Sequence, residues 1–259
     1  STPRTEFIPM PTPATGADAN PFGANRLFYA NPQLAVAWRG LRDALHLDSS
    51  DSALEARLEN LATVPSAFWI DTKDKIVGAD QPGTLEAILA SAAALADQND
   101  GVAPLCTFVW YNLPNRDCHA KASSGEICCS GRLPDGRCDL SPQSGGCQEG
   151  LHEYMTEYAD PFIEVLTRYV ATVPVAIVLE PDSLANLITN AADPQCGAAT
   201  YEAYTKGIEY AVRRLSEAAP SVSLYLDAGH GGWLGWDDDT KKYMKLVCNL
   251  GKATASFHV

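Results

Sequence analysis

The chain has 259 residues, of which 46% are hydrophobic and 20% are charged, enough to bury the core of one large domain or two small ones. Its 32 acidic residues outnumber its 19 basic residues, which gives a net charge of -13. Such a charge repels polyanions, so we expect no nucleic-acid partner. No apolar run reaches the roughly 18 residues that a membrane-spanning helix needs, so we expect no membrane partner either.

The first 22 residues contain five prolines among threonine, alanine and glycine, without an apolar period. This composition predicts a linker or extended arm over residues 1–22, followed by a single folded domain over residues 23–259. The chain begins at Ser1 without a basic and apolar leader, so we expect that any secretion signal has already been removed from it.

From Gly23 onward, short apolar runs alternate with amphipathic helical windows, a pattern typical of an α/β fold with a parallel sheet and crossover helices. The apolar runs predict strands at 66–70, 106–111, 175–179, 222–226 and 253–259. The windows between them predict helices at 52–63, 83–98, 152–171, 182–191, 200–218 and 240–250. The fifth predicted strand ends on the last residue, whereas a closed parallel barrel takes about eight strands. We therefore expect either an open, doubly wound sheet or the N-terminal portion of a barrel.

Eight cysteines are present, and four of them fall between residues 128 and 147 among glycine, serine, proline and aspartate. A segment of that composition buries little apolar surface, so disulfides would supply the missing constraint. Structural zinc is the alternative, but no pair has the C-x2-C spacing of common zinc sites. We therefore expect disulfides and an extracellular location. Cys106 and Cys248 are expected to be free and buried on apolar elements.

Acidic residues follow the predicted strands at the point where each strand ends. Asp71 follows the first strand, Asp117 lies in the segment after the second, Asp182 follows the third, and Asp227 follows the fourth. The carboxyl ends of parallel strands meet at one edge of a sheet, so carboxylates from three or four of these strands should converge there. Mutual repulsion and partial burial would then raise the pKa of at least one of them.

Two other interpretations of the acidic residues remain open. A metal site would need histidine ligands as well, and only His230 and His119 lie nearby in the sequence. Alternatively, each aspartate could cap the helix that follows it, as Asp182 could do before the Ser-Leu-Ala-Asn-Leu segment. Capping is a reasonable explanation for any one aspartate, but it explains the whole set less well, because aromatic residues are interleaved with it.

Tryptophan and tyrosine occur near the same strand ends. Core packing is the commoner role for Trp69 and Trp110, which lie in predicted strands, but it is less natural for Trp233 and Trp236 between loop glycines. Paired carboxyl groups beside exposed indoles suit glycoside hydrolysis, because sugar faces stack on aromatic rings and bond cleavage needs an acid at the leaving oxygen. A carbohydrate is therefore the leading candidate substrate.

Four segments resemble, in the same order, motifs of glycoside hydrolase family 6, a family of cellulases. They are residues 25–32 (NRLFYANP), 111–118 (YNLPNRDC), 179–186 (LEPDSLAN) and 225–236 (YLDAGHGGWLGW). The resemblance runs from about residue 21 to residue 259. It implies a distorted parallel (β/α) barrel, without its C-terminal strands in this chain, that hydrolyses β-1,4-glucan with inversion at the anomeric carbon.

The resemblance also implies roles for individual residues. Asp182 matches the general acid, and Asp117 matches the aspartate that keeps this acid protonated. Tyr111 matches a tyrosine beside the distorted sugar, Ser123 a serine that holds the attacking water, and Asp227 a further active-site carboxylate. Cys118 and Cys196 match a disulfide that pins the Asp117 loop. The residues expected to contact substrate are Trp69, Asp71, Arg116, His230, Trp233 and Trp236. The base proposed for the family lies on C-terminal strands, so none is assigned here.

This chain departs from the family in two respects. Asn112 and Asn115 stand where family members usually carry aspartate, which lowers the local negative charge. Residues 127–150 resemble an insertion that carries four cysteines. We expect a disulfide-bonded loop beside the cleft, which would either lengthen a tunnel over the glucan or be a surface ornament.

The leading hypothesis is a secreted, monomeric, inverting cellulase without a metal or other cofactor, acting on cellulose or cello-oligosaccharide. A cellobiohydrolase is favoured over an endoglucanase because Trp236 would form a distant sugar platform. The alternatives are a non-hydrolytic glycan-binding or structural protein, for which the two asparagines argue, and a metal-dependent carbohydrate esterase that would use the acidic residues.

Overall fold

A computed structural model describes residues 20–23, 26–44, 52–120, 123–141 and 146–253. Nearly all of the predicted N-terminal arm, and residues 254–259 of the predicted fifth strand, lie outside these ranges. Ala253, the first residue of that predicted strand, is instead the last residue of a helix. None of the helices described is long and apolar enough to cross a membrane.

The described residues form four strands and nine α-helices. The strands are β1 Phe68–Ile70, β2 Cys106–Trp110, β3 Val175–Leu179 and β4 Ser223–Leu226. The helices are α1 Pro32–Ala44, α2 Ser52–Ala62, α3 Leu85–Ala96, α4 Gln148–Glu153, α5 Asp160–Tyr169, α6 Ser183–Thr189, α7 Ala198–Ala218, α8 Gly231–Leu234 and α9 Asp237–Ala253. Short 3-10 helices cover Lys73–Lys75 and Pro194–Cys196, and a π-helical turn covers Tyr154–Ala159.

The strands form one parallel sheet in the order β1-β2-β3-β4, so each strand pairs with its neighbour in sequence. Phe108 of β2 lies opposite Phe68 of β1 and Ile177 of β3. This architecture confirms the predicted α/β class and four of the five predicted strands. Because all four strands run the same way, their carboxyl ends lie along one edge of the sheet, where the acidic residues follow.

The core lies between the sheet and the helices that cross over it. β2 and β3 are almost completely buried, which suits their run of β-branched and aromatic residues. α3, α5 and α7 contribute their apolar stripes to the same core. The hydroxyl of Thr84 caps α3 by accepting a hydrogen bond from the N–H of Ala87 at 3.1 Å. These contacts hold the strand ends rigidly, so the loops that follow them start from fixed positions.

A π-helical turn interrupts the helix predicted for residues 152–171. The N–H of Asp160 donates to the carbonyl of Met155, five residues back, and Pro161 next to it has no N–H to continue the α-helical ladder. The turn places Tyr154 and Tyr158 in the core. The hydroxyl of Tyr158 donates to the carbonyl of Ile70 at the end of β1, so the π turn contacts the strand ends.

Three disulfides are present among the described residues: Cys118–Cys196, Cys128–Cys138 and Cys129–Cys147. The prediction of disulfides over a zinc site is therefore confirmed. Cys106 is free and buried in β2, as predicted. Cys248 is also free, but it is exposed on α9, so the prediction of a buried side chain is wrong there. The apolar residues around it in the sequence do not all face the core, because α9 buries only one stripe.

Candidate active site

The strand ends form a cleft at the carboxyl edge of the sheet. Its lining residues come from the loops after β2 and β3 and from the start of α6 and α7: Tyr111, Leu113, Arg116, Asp117, Glu180, Pro181, Asp182, Ser183, Asn186 and Tyr204. Asp227 after β4 reaches the same cleft, because its Oδ2 accepts a hydrogen bond from the N–H of Asp182 at 2.9 Å. The structure thus brings together carboxylates from three strand ends, as the sequence predicts.

Asp182 stands at the position preceding α6, in the left-handed conformation with φ 65°. Its side chain makes no capping hydrogen bond to α6, so the capping interpretation is wrong for this residue. Partial burial raises the pKa of its carboxyl, and the negative charges of Asp227 and Asp117 raise it further, while His230 acts in the opposite direction. Asp182 is therefore an accessible carboxyl group that retains its proton to higher pH than an ordinary aspartate.

Asp117 and Tyr111 form a hydrogen-bonded pair in the loop after β2. The hydroxyl of Tyr111 donates to Oδ2 of Asp117. Burial is the main reason that the pKa of Tyr111 lies well above its ordinary value, and the Asp117 carboxylate raises it further. The phenol therefore stays protonated and continues to donate. Asp117 has φ 55°, and the next residue, Cys118, is bonded to Cys196, which fixes this side of the cleft to the segment before α7.

Arg116 joins three loops at the cleft through its guanidinium group. Its Nη1 donates to the carbonyl of Asp71 at 2.8 Å and to the carbonyl of Tyr111, and its Nε donates to the carbonyl of Ser123 at 3.2 Å. The guanidinium carbon also lies 4.5 Å from the centre of the Tyr111 ring. The carboxylate of Asp71 in turn forms an ion pair with the ammonium group of Lys75, with an N–O distance of 2.5 Å. Ser123 is exposed, and the hydrogen bond from Arg116 to its carbonyl connects it to the cleft.

The aromatic residues divide between the cleft and the core. Trp69 is 51% exposed and meets the Tyr111 ring edge-on at 5.2 Å, so the core-packing alternative is wrong for this residue, and its assignment to substrate contact stays a prediction. Its side chain points to the opposite face of β1 from its buried neighbours Phe68 and Ile70, which leaves the ring uncovered. Trp110 is fully buried and stacks on Phe162, as expected for a core residue.

The loop after β4 carries the other two tryptophans. Trp236 is 68% exposed, and Trp233 is half-buried with its ring 5.3 Å from that of His230. The ring of His230 accepts a hydrogen bond from the N–H of Gly232 at 3.0 Å, which starts α8 and orients this loop. The hydroxyl of Tyr243 donates to the carbonyl of Asp227 at 2.7 Å and ties the loop to α9.

Glu180 is a buried carboxyl group behind the cleft that the sequence reasoning did not single out. Its fully buried carboxyl group accepts hydrogen bonds from the N–H of Asn112, the N–H of Leu113 and the hydroxyl of Tyr154. Burial raises its pKa to about 8, and these donors oppose the rise. Glu180 therefore links the loop that carries Asp117 to the strand that ends at Asp182. The Glu-Pro-Asp motif was the available signal, but its glutamate was not distinguished from a surface residue.

Asn112 and Asn115, the two departures from the family pattern, lie behind the cleft and are buried. Nδ2 of Asn112 donates to Glu126 at 2.9 Å, while its Oδ1 is buried without a partner. Asn115 is bonded to several elements around the turn that carries Asp117. Both side chains therefore make hydrogen bonds that hold the loop after β2.

The chain is similar to known enzymes over nearly all of its length. The family model "Glycosyl hydrolases family 6" matches residues 23–257. Exoglucanase A of Cellulomonas fimi is 35% identical over 96% of this chain and 27% of its own length. Exoglucanase 2 of Hypocrea jecorina is 34% identical over 94% of this chain and 45% of its own length.

Solved structures of catalytic domains are similar to this chain as well. The catalytic domain of Cellulomonas fimi Cel6B has a TM-score of 0.72 and 33% identity, covering 88% of this chain and 47% of that one. The CcCel6A catalytic domain, solved with p-nitrophenyl β-D-cellotrioside, has a TM-score of 0.69 and 32% identity over 90% of this chain and 56% of that one. The chain thus spans about half or less of the length of these relatives. It belongs to family 6 of the glycosyl hydrolases.

Proposed function

We propose that this protein hydrolyses β-1,4-glucosidic bonds in cellulose or cello-oligosaccharide with inversion at the anomeric carbon. Its family membership and the exoglucanases and cellobiohydrolases among its relatives support this class of reaction. The observation that carries the proposal is the accessible Asp182 carboxyl, whose pKa is raised by burial and by Asp227 and Asp117. A carboxyl group that keeps its proton can protonate the glycosidic oxygen as the bond breaks.

Asp117 has a second role in this proposal. It carries the charge that helps hold the proton on Asp182, and its carboxylate can stabilise the positive charge that develops on the sugar ring. The hydroxyl of Tyr111 fixes the orientation of Asp117. Ser123, held through its carbonyl by Arg116, is assigned to the attacking water.

The exposed aromatic rings are proposed as sugar platforms. Trp69 stands on one side of the cleft, and Trp233 and Trp236 follow β4 on the other. Pyranose rings stack on such faces, and we assign contacts with sugar hydroxyl groups to Asp71, Arg116 and His230. A chain of glucose units lying across both sets of rings would pass Asp182 between them. We favour cellobiohydrolase action over endoglucanase action because the 68% exposed Trp236 extends this row.

We also propose that the protein is secreted and acts as a monomer, with a linker over residues 1–22 and the catalytic domain over residues 23–259. The three disulfides support secretion, because such bonds persist in oxidising compartments.

The activity is tested with Asp182→Ala on cellotetraose, with Asp97→Ala as the matched control at the exposed C-terminal end of α3. We expect Asp182→Ala to lower the rate by at least ~100-fold, the usual size of a general-acid contribution, while Asp97→Ala keeps the parent rate. Equal rates for Asp182→Ala and the parent would overturn the assignment of the acid. If the parent binds cellotetraose but releases no sugar, the glycan-binding alternative is correct instead.

Exo and endo action are separated on soluble carboxymethyl cellulose and on amorphous cellulose. A cellobiohydrolase releases soluble sugar with little loss of viscosity, whereas an endoglucanase lowers the viscosity early. An early fall in viscosity would overturn the cellobiohydrolase preference and leave the hydrolase proposal intact.

A further inference from the structure

Residues 127–141 form a compact loop, which we call the cystine hairpin. The bond Cys128–Cys138 closes it upon itself, and Arg132 pairs with Cys138 across it in antiparallel fashion. The second disulfide, Cys129–Cys147, joins the start of the hairpin to the residue that precedes α4. The hairpin is therefore fixed to the domain at its base, where all four cysteines are buried.

Asn115 joins the base of the hairpin to the turn that carries Asp117. Its N–H donates to the carbonyl of Ile127 at 3.0 Å, and its Oδ1 accepts from the N–H of Cys129 at 3.0 Å. On its other side, Nδ2 donates to Oγ1 of Thr200 at 3.3 Å, and its carbonyl accepts from the hydroxyl of Tyr204 at 2.9 Å. All four polar groups of this 4% exposed residue are thus used, two of them toward the hairpin.

The turn between Asn115 and Cys118 is held at both ends. Asn115 and Asp117 both have φ 55°, and Cys118 is bonded to Cys196. The hairpin and α7 hold the first end, and the disulfide holds the second. Because Asp117 lies between them, its carboxylate is placed by these two attachments together with the hydroxyl of Tyr111.

The tip of the hairpin, residues 133–137, contributes differently. Leu133 is 38% exposed, and Arg137 and Asp135 form an exposed ion pair with each other. The hydrogen bonds that reach the Asp117 turn come from Ile127 and Cys129 at the base. These contacts indicate that the hairpin supports the Asp117 turn from behind. They do not indicate that it covers the cleft.

We infer that the cystine hairpin supports the turn that carries Asp117, and that Asn115 is the positioning residue through which it acts. The inference rests on the proposed function, since Asp117 is assigned there to the reaction. It replaces both alternatives for the insertion, a tunnel-lengthening loop and a surface ornament. Removing the link should displace the Asp117 carboxylate relative to Asp182 without removing any group that contacts substrate.

The test compares Asn115→Gly with a tip control, Leu133→Ala/Arg137→Ala. Glycine deletes the two side-chain hydrogen bonds of Asn115 and still accepts a positive φ. We expect kcat on cellotetraose to fall by roughly 10- to 100-fold, as for a misplacement near 1 Å, with KM changed less than about twofold. The groups acting on Asp182 are Asp227, Asp117 and His230, so withdrawal of Asp117 should also move the basic limb of the kcat profile to lower pH.

Two further variants separate positioning from general loss of structure. Asn115→Asp keeps the oxygen that accepts from Cys129, so it should restore kcat to within a few-fold of the parent. Cys128→Ser/Cys138→Ser opens the hairpin and should reproduce the kcat loss of Asn115→Gly. If the cystine variant fails to fold, Asn115→Gly decides the question, because glycine accepts the φ of 55° at this position and removes no disulfide.

Hydrogen exchange gives a readout that does not need activity. The amides of residues 115–118 should exchange faster in Asn115→Gly and in the cystine variant, and at the parent rate in the tip control. If the parent has no activity, the proposed function fails. Faster exchange in the two variants than in that parent would then still support the positioning role. Unchanged kcat, pH profile and exchange in Asn115→Gly would overturn the inference. A raised KM in the tip control would overturn it too, in favour of a cover over the cleft.

Discussion

At the scale of single residues, the charges around Asp182 can be ranked. Asp227 acts on its pKa more strongly than Asp117, and both raise it. Asp227→Asn keeps an oxygen for the N–H groups of Asp182 and Gly229 but removes the charge. A general acid must be protonated to act, so activity is lost as pH rises through its pKa. We therefore expect Asp227→Asn to move the basic limb of the kcat profile to lower pH, and further than Asp117→Asn does.

Asp71→Asn is the control for this measurement. Asp71 pairs with Lys75 and is not among the charges that raise the pKa of Asp182. Its replacement should leave the basic limb in place even where KM changes. Equal displacement of the limb by all three variants would mean that overall charge, not the local arrangement, sets the pKa of Asp182.

The sequence was sufficient to predict that Asp117, Asp182 and Asp227 converge, because each follows a recognisable apolar strand. It was insufficient for Glu180, which directly follows β3 and turns its carboxyl group into the core. The direction of that side chain depends on a φ of 45° and on donors from a loop 67 residues away in sequence. The exposure of Trp69 depends likewise on which face of β1 is covered, because its side chain points away from the face that buries Phe68 and Ile70.

At the scale of elements, Glu180 couples β3 to the loop after β2 and should make stability depend on pH. Its pKa in the folded protein is about 8, above its ordinary value near 4.5. The folded state then binds more protons than the unfolded state between these values, so stability falls as pH rises through this range. The slope is at most about 1.4 kcal/mol per pH unit for one group.

Urea unfolding at pH 5, 6, 7 and 8 measures this slope. Glu180→Gln cannot ionise and should give a flatter dependence than the parent, with the other titrating groups cancelling in the difference. Parallel curves for the two proteins would mean that Glu180 is ionised throughout.

The disulfide Cys118–Cys196 closes a loop of 78 residues between the Asp117 turn and the segment before α7. Loop-closure entropy predicts that Cys118→Ser/Cys196→Ser lowers the free energy of unfolding by about 4 kcal/mol. Cys248→Ser, at an exposed free cysteine, is the matched control and should change it by less than about 0.5 kcal/mol. Guanidinium unfolding under non-reducing conditions gives both values, and a similar small change in both variants would contradict the assignment.

Some strands, helices and disulfides could be predicted from the sequence and others could not, for physical reasons. β2 and β3 are short apolar runs buried on both faces, so their ends were recognisable. α1 was not predicted; it packs against α2 and buries none of its residues among the described part of the chain. The cystine pairings could not be derived either, because adjacent Cys128 and Cys129 allow several connectivities at similar spacing.

At the scale of the whole molecule, the alternation of strands and helices was enough to predict a parallel α/β fold. The order β1-β2-β3-β4 is the simplest one that successive crossovers produce, and it places the four acidic loops side by side. Nothing in the periodicity distinguished an open sheet from part of a barrel, because closure depends on tilt and stagger between strands rather than on pattern within them.

The reaction as a whole should invert the anomeric carbon. Fresh cellotetraose digests followed by proton NMR should show the α-anomer of the new reducing end first, with the β-anomer appearing later by mutarotation. A sample of pre-equilibrated product is the control for the rate of mutarotation. A β-anomer formed first would point to a retaining enzyme and would exclude a water as the direct nucleophile.

Four residues around the cleft, Asn115, Asp117, Glu180 and Asp182, share left-handed backbone angles that side chains with a β-carbon disfavour by about 1 kcal/mol each. Glycine would adopt these angles without that cost. At Asn115 and Glu180 the buried hydrogen bonds of the side chain oppose such a change, whereas the exposed side chain of Asp182 makes no capping hydrogen bond, so a selection for heat resistance alone would drive Asp182 toward glycine. The most heat-resistant variants from such a selection would have lost the proposed general acid, so thermal screening of this protein needs turnover measured in the same round.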